Sequence, residues 1–187
     1  EAVAGVEALD KIPGRMQRLP ATFEVPIHVD AAESPDRVAV ALHALRHKQL
    51  GPTTVVMDIG CRLDPQWRQR LGEVLDKGAD RVVLSASDMS ADMAQSLAMD
   101  VLGGFRSPGR VQVIADRSAA IRWAVDHTET GTILLAGCGV KTWTDREGTP
   151  VTDESLAKQA LARKSSSLPA SVLSIFPPAE AAPYFSH

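Results

Sequence analysis

Only two cysteines, Cys61 and Cys138, occur in the 187 residues. That is too few for a disulfide framework, and such sparing use points to a reducing compartment. Aromatic residues are equally scarce, at 4%, and they do not interleave with Lys or Arg, so the stacking platform of a single-strand nucleic-acid binder is missing. A net charge of −3 with no basic block supplies no field that would draw a polyanion. No apolar stretch approaches the ~20 residues needed to span a bilayer, and no signal-peptide pattern opens the chain. We therefore expect a soluble, cytoplasmic protein with neither nucleic acid nor membrane as partner. Because the first residue is Glu1, in what reads as mid-helix, we also expect a piece of a longer protein.

What the chain does have is a rhythm. Five short apolar runs each stop at small or polar residues. They are Ile27-His28-Val29 into Asp30-Ala31-Ala32, Val55-Val56-Met57 into Asp58-Ile59-Gly60-Cys61, and Val82-Val83-Leu84 into Ser85-Ala86-Ser87-Asp88. Val111-Gln112-Val113-Ile114 into Ala115-Asp116 and Ile133-Leu134-Leu135 into Ala136-Gly137-Cys138-Gly139 complete the set. Helical spacing fills the intervals. Strand–helix alternation of this kind builds a mostly parallel α/β sheet with helices on both faces, Rossmann-like in its layering. Ligands in such sheets bind outside the carboxyl ends of the strands, where this chain concentrates Gly, Asp, Ser and Cys.

A short helix over Ala4, Val6, Ala8 and Leu9 should end before the Pro13-Gly14 turn. Met16 to Val25 suggests a small N-terminal hairpin. Ser34-Pro35 opens a helix carrying Val38, Leu42 and Leu45. A second helix is expected from Pro65 to Lys77, closed by Gly78, with Leu71, Val74 and Leu75 inward. A third should cover Met89 to Leu102, with Met93, Leu97, Met99 and Leu102 as core contacts. Asp116 caps a fourth, whose Ile121, Ala124 and Val125 face inward. Trp67 and Trp123 are expected to cover helix–sheet seams. Residues 1–150 form the main domain on this reading. Residues 151–187 form a peripheral helix, capped by Thr152 or Asp153, and a tail rich in Pro, Ala and Ser.

Several pieces, in order, resemble one family: Pro13-Gly14-Arg15-Met16, Val29-Asp30-Ala31-Ala32-Glu33-Ser34-Pro35-Asp36, Ala41-Leu42-His43-Ala44-Leu45-Arg46, Asp116-Arg117-Ser118-Ala119-Ala120-Ile121 and Leu134-Leu135-Ala136-Gly137-Cys138-Gly139. Together they are similar to the C-terminal domain of the Mur ligases. The branch they resemble most is the UDP-N-acetylmuramoyl-tripeptide synthetases, which add diaminopimelate or lysine. The resemblance implies a three-domain, ATP-dependent, amide-forming ligase of peptidoglycan precursor synthesis. Its partners would be a UDP-N-acetylmuramoyl peptide and an amino acid, and a carboxylate would be activated as an acyl phosphate. ATP and Mg2+ would be held mainly by an N-terminally preceding central domain, because this chain contains no Gly-x-x-x-x-Gly-Lys-Ser/Thr segment. The domain alone is expected to be inactive and to contain no catalytic residue.

By the same resemblance Arg15 reaches ATP phosphates, a task suited to a forked, permanently charged donor. Asp30 sits near the nucleotide, where it can accept from ribose hydroxyls. The competing readings are a solvated turn arginine and an aspartate that only caps local amides. Ser87, Asp88, Gly137, Gly139 and Lys141 would line the amino-acid site. The chain departs from the family here. Asp-Tyr-Ala-His becomes Asp30-Ala31-Ala32-Glu33, and Asp-Asn-Pro-Arg becomes Ser87-Asp88-Met89-Ser90. Gly-Lys-Gly-His-Glu becomes Gly137-Cys138-Gly139-Val140-Lys141. Arg62, Asp64 and Arg68 are either remnants of a basic segment or the ordinary start of a helix. These losses put diaminopimelate recognition in doubt and keep open a second reading, a catalytically degenerate homologue acting as a binding or scaffold module. Two cysteines without a histidine pair make a poor zinc site, so no metal is expected in this chain. A stand-alone dinucleotide-binding domain would need Gly-x-Gly-x-x-Gly after the first strand, and none is present.

Overall fold

The computed structural model describes residues 12–20, 25–48, 50–60, 64–86, 89–145 and 147–167. The expected helix before Pro13 lies outside them, as do Cys61, Arg62, Ser87, Asp88 and the tail after 167. Strands are β1 (Gln17–Arg18), β2 (Ile27–Asp30), β3 (Thr53–Asp58), β4 (Arg81–Ser85), β5 (Val111–Val113), β6 (Thr132–Ala136), β7 (Trp143–Thr144) and β8 (Pro150–Val151). Helices are α1 (Pro35–His47), α2 (Pro65–Gly78), α3 (Ala91–Leu102), α4 (Arg117–His127) and α5 (Asp153–Ser167), with a short 3-10 turn over Pro108–Arg110.

Six strands form one sheet in the order β1-β2-β6-β3-β4-β5, parallel throughout except for β1. The expected hairpin is the antiparallel pair β1–β2, so it is built into the sheet edge rather than standing ahead of it. Alternation along the strands divides the core. Val55, Met57, Val82, Leu84 and Leu134 face α1, α2 and α3. Val29, Val56, Val83, Ile133 and Leu135 face α4 and α5. Each such side chain, once sealed from water, contributes about 1.5–3 kcal/mol.

Start signals worked unevenly. Asp64, Ser90 and Asp116 accept from the amides of Gln66, Met93 and Ala119 as side-chain caps. Ser34 makes no such bond, and at that end Pro35 simply removes one N–H that would otherwise need a partner. Gly78 does not close its helix in a left-handed turn. It is the last helical residue, and a Cβ there would lie 2.4 Å from Leu42 Cδ1, so its role is to admit α1.

Three placements differ from expectation. Met93 and Met99 are 57% and 58% exposed, while Ala94, Ala98 and Val101 take the core positions beside Leu97. Trp67 is 39% exposed. Helix α5, expected at the periphery, buries Leu156, Ala157, Ala160 and Leu161 in the second apolar layer. The cause is the return path of the chain. Helix α4 alone covers too little of that face, and α5 completes it, its start fixed by reciprocal bonds between Thr152 and Ser155.

Candidate functional site at the strand ends

After β5 the chain crosses back beneath the sheet through α4 and inserts β6 between β2 and β3. The connection leaving β2 runs to the α1 face, whereas the one leaving β6 runs to the α5 face. Such a divergence opens a crevice beyond the carboxyl ends of the two strands. In register there, Asp30 of β2 lies level with Ala136 of β6, and Asp58 of β3 with Ser85 of β4.

Three loops are stitched together at this crevice. Ala31 N donates to Gly14 O at 2.8 Å and Gly137 N to Asp30 O at 3.1 Å, while Lys141 N closes the last loop on itself by donating to Cys138 O at 3.1 Å. Asp30, only 5% exposed, accepts from Met16 N at 2.7 Å through Oδ2. One of its oxygens is therefore already committed to positioning the turn that carries Arg15. Arg15 itself is exposed. Glycine is required in the last loop. Gly137 has φ +102° and a Cβ would lie 3.0 Å from Asp58 Cβ; at Gly139 (φ +60°) a Cβ would lie 2.7 Å from Ala31 Cβ. Both combine left-handed backbone with close approach, which only glycine tolerates cheaply.

Beside Asp30 a cleft of about 330 Å³ is lined by Arg15, Met16, Asp30, Arg37, Val40 and Ala41, among others. Its walls are mostly apolar, and Asp30 and Asp36 share the lining with the two cations, so its charged groups are balanced in sign. A second cleft, about 360 Å³, lies among α4, α5 and the β7–β8 hairpin and contains none of the sequence-predicted residues.

The structure thus brings Arg15, Asp30, Gly137, Gly139 and Lys141 to one end of the sheet, while Ser87 and Asp88 lie outside the described residues. Glu33 and Lys141, two of the departures noted above, face one another: Nζ is 3.5 Å from Oε2, with about 40% of each side chain exposed. Sequence reasoning missed Arg117 and Asp153. Both side chains are fully buried, and Arg117 Nε lies 2.7 Å from Asp153 Oδ1. Arginine one residue after a helix cap ordinarily points to solvent, so nothing local announces this pair. Burial works against the Arg117 charge, but the Asp153 carboxylate, aided by Asp58, outweighs it and raises the pKa above the ordinary arginine value. Burial also pushes the Cys138 thiol up to about 12, which keeps it protonated and unreactive. Among the described residues no group of three or more His, Cys, Asp or Glu could hold a metal ion, and no helix is long and apolar enough to cross a membrane.

Residues 14–139 match the family model described as Mur ligase, glutamate ligase domain. The chain belongs to the Mur ligase family. Its relatives in that family include a UDP-N-acetylmuramoyl-L-alanyl-D-glutamate--2,6-diaminopimelate ligase of Chromobacterium violaceum, 32% identical over 86% of this chain and 34% of the relative. A UDP-N-acetylmuramyl-tripeptide synthetase of Deinococcus radiodurans is 34% identical over 86% of this chain and again 34% of the relative. Among solved structures, a UDP-N-acetylmuramoyl-L-alanyl-D-glutamate--2,6-diaminopimelate ligase shares the fold, with a TM-score of 0.71 at 24% identity over 87% of this chain and 34% of that one. This Mur ligase chain spans about a third of the length of these relatives.

Proposed function

We propose that the chain is the C-terminal, amino-acid-binding and ATP-closing domain of an ATP-dependent amide-forming ligase that extends a UDP-N-acetylmuramoyl peptide in the cytoplasm. The observation that carries this reading is the clamp of Asp30 on the Gly14–Met16 turn, which holds Arg15 at the mouth of the cleft beside Asp30. ATP, when bound, supplies the phosphoryl group that activates the acceptor carboxylate. Arg15, exposed and forked, would take a phosphate, and the free lone pairs of Asp30 would accept from ribose hydroxyls. With no cluster of metal-ligating side chains among the described residues, Mg2+ would be held by the remainder of a longer parent, as would most of the nucleotide. Gly137 and Gly139, packed against Asp58 and Ala31, would line the amino-acid site through their backbone, with Lys141, Ser87 and Asp88 around it. The domain is taken as 1–150 together with helix α5, whose buried residues complete its core, and the isolated domain as inactive.

A degenerate homologue serving as a scaffold is the alternative. The Glu33–Lys141 pair favours it, since two mutually neutralising side chains stand where a zwitterionic substrate would be gripped. ADP release by the full-length parent separates the two. It is measured with ATP, Mg2+, a UDP-N-acetylmuramoyl dipeptide and a panel of amino acids. Turnover dependent on one amino acid, lost in Arg15→Ala and Asp30→Ala, supports the ligase. No turnover from a folded parent supports the scaffold.

A further inference from the structure

The buried guanidinium of Arg117 makes four hydrogen bonds to three parts of the fold. Nε and Nη2 donate to Asp153 on α5, both at 2.7 Å. Nη1 donates to Ser85 Oγ at the end of β4 at 3.0 Å, and Nη2 to Ala136 O at the end of β6 at 3.1 Å. The Trp143 ring covers the group, with its centroid 6.0 Å from Cζ. The Ala136 carbonyl belongs to the same peptide unit as the Gly137 N–H, which donates to Asp30 O. Both polar ends of this one peptide are therefore held, the oxygen by Arg117 and the nitrogen by β2. The plane of that peptide sets the direction in which the 137–139 loop departs, beginning with Gly137 at φ +102°.

We propose that Arg117 is the positioning residue of the 137–139 loop and that Asp153 anchors it, so that α5 governs the geometry of the strand-end crevice. Stability alone gives a poor reason for such a pair. Removing two charges from water costs several kcal/mol per ion, and well-packed apolar substitutes are often as stable. A bidentate pair that also spends two N–H groups on strand ends supplies orientation instead. Helix α5 lies beyond the segment matched by the family model, yet on this account it is part of the site. The loop is held in this way whatever ligand it serves, so the inference does not depend on the ligase reading.

Cys138 is the built-in reporter, since its thiol lies within the loop and is 9% exposed. The test is the rate of Cys138 alkylation by iodoacetamide in the full chain carrying Cys61→Ser, read at several low urea concentrations. Labelling that proceeds through local opening is insensitive to low urea, whereas labelling through global unfolding is not. Arg117→Met alone strands the Asp153 charge and could fail to fold, so the deciding variant is Arg117→Met with Asp153→Leu, which removes both charges. Its melting temperature is expected to stay within about 4 °C of the parent's, while Cys138 labelling accelerates at least about ten-fold with no urea dependence. Arg117→Lys, retaining the charge but not the fork, should recover only part of the protection. As a control, Leu71→Ala destabilises the opposite face and should speed labelling only through global unfolding. Labelling of the double variant within about two-fold of the parent, or an acceleration that tracks its loss of stability, would overturn the proposal.

Discussion

His28 offers a quantitative test of how charge and burial are arranged in this sheet. The ring lies within β2 and is 1% exposed, with Nδ1 3.3 Å from Thr132 Oγ1. Thr132 Oγ1 donates to Pro26 O at 2.9 Å, so the hydroxyl proton is used and we assign the ring proton to Nδ1. Burial, with Lys48 and then Arg18 nearby, lowers the pKa of His28 from 6.5 to about 4. For a base, a lowered folded-state pKa means that the unfolded chain binds the proton first. Stability is therefore intact above pH 6.5, falls as the pH drops from 6.5 to about 4, and levels off below that. At about pH 4.5 the loss from this group is about 2–3 kcal/mol. Urea denaturation at about pH 7.5 and pH 4.5 would be compared for the wild type and His28→Asn, whose amide can occupy the position of Nδ1 without titrating. The other ionisable groups titrate in both proteins and cancel in the difference. With an m-value of about 1–3 kcal/mol/M, the wild-type midpoint should fall about 1–3 M further than that of the variant. A parallel fall in the two proteins, within about 0.5 kcal/mol, would refute the assigned burial cost.

Three further outcomes are expected. Gly72→Ala places a Cβ 1.9 Å from Val101 O at the α2–α3 crossing; neither backbone can yield, so thermal melting should show a loss of more than about 2 kcal/mol, and an unchanged melting temperature would contradict so close a crossing. Lys141→Ala breaks a half-exposed pair, so denaturation should show a change below about 1 kcal/mol, and any larger loss would mean that Lys141 is structural. Arg15→Ala, at an exposed turn, should leave the melting temperature of the parent unchanged. It should also weaken nucleotide binding by calorimetry about 10–100-fold, or about 1.4–2.8 kcal/mol, and unaltered affinity would remove Arg15 from the nucleotide site.

The five main strands were legible because each is a short apolar run ended by Gly, Asp or Ser, a pattern that needs no tertiary information. The helix start at Asp116 was legible for the same reason, a cap made within three residues, whereas the third helix, expected from Met89, starts instead at Ala91 behind a Ser90 cap. Core assignments within α3 failed because Met93 and Met99 carry the right hydrophobicity at positions that point away from the sheet. Only the rotation of the packed helix decides which apolar residues are sealed. The glycines of the 137–139 loop could be picked out as candidates, but not the reason for them, which is the approach of Asp58 on β3 and of Ala31 just after β2.

By itself the sequence determined the layered α/β class, the order of its elements and the concentration of polar residues at the strand ends, because all three follow from local periodicity and turn chemistry. Tertiary structure alone decided that β6 inserts between β2 and β3, that α5 completes the second face of the core, and that Arg117 and Asp153 meet in the interior. Those outcomes depend on which surfaces remain to be covered after the chain has folded back, and on charges 36 residues apart finding each other. Neither is written in any short window of the sequence.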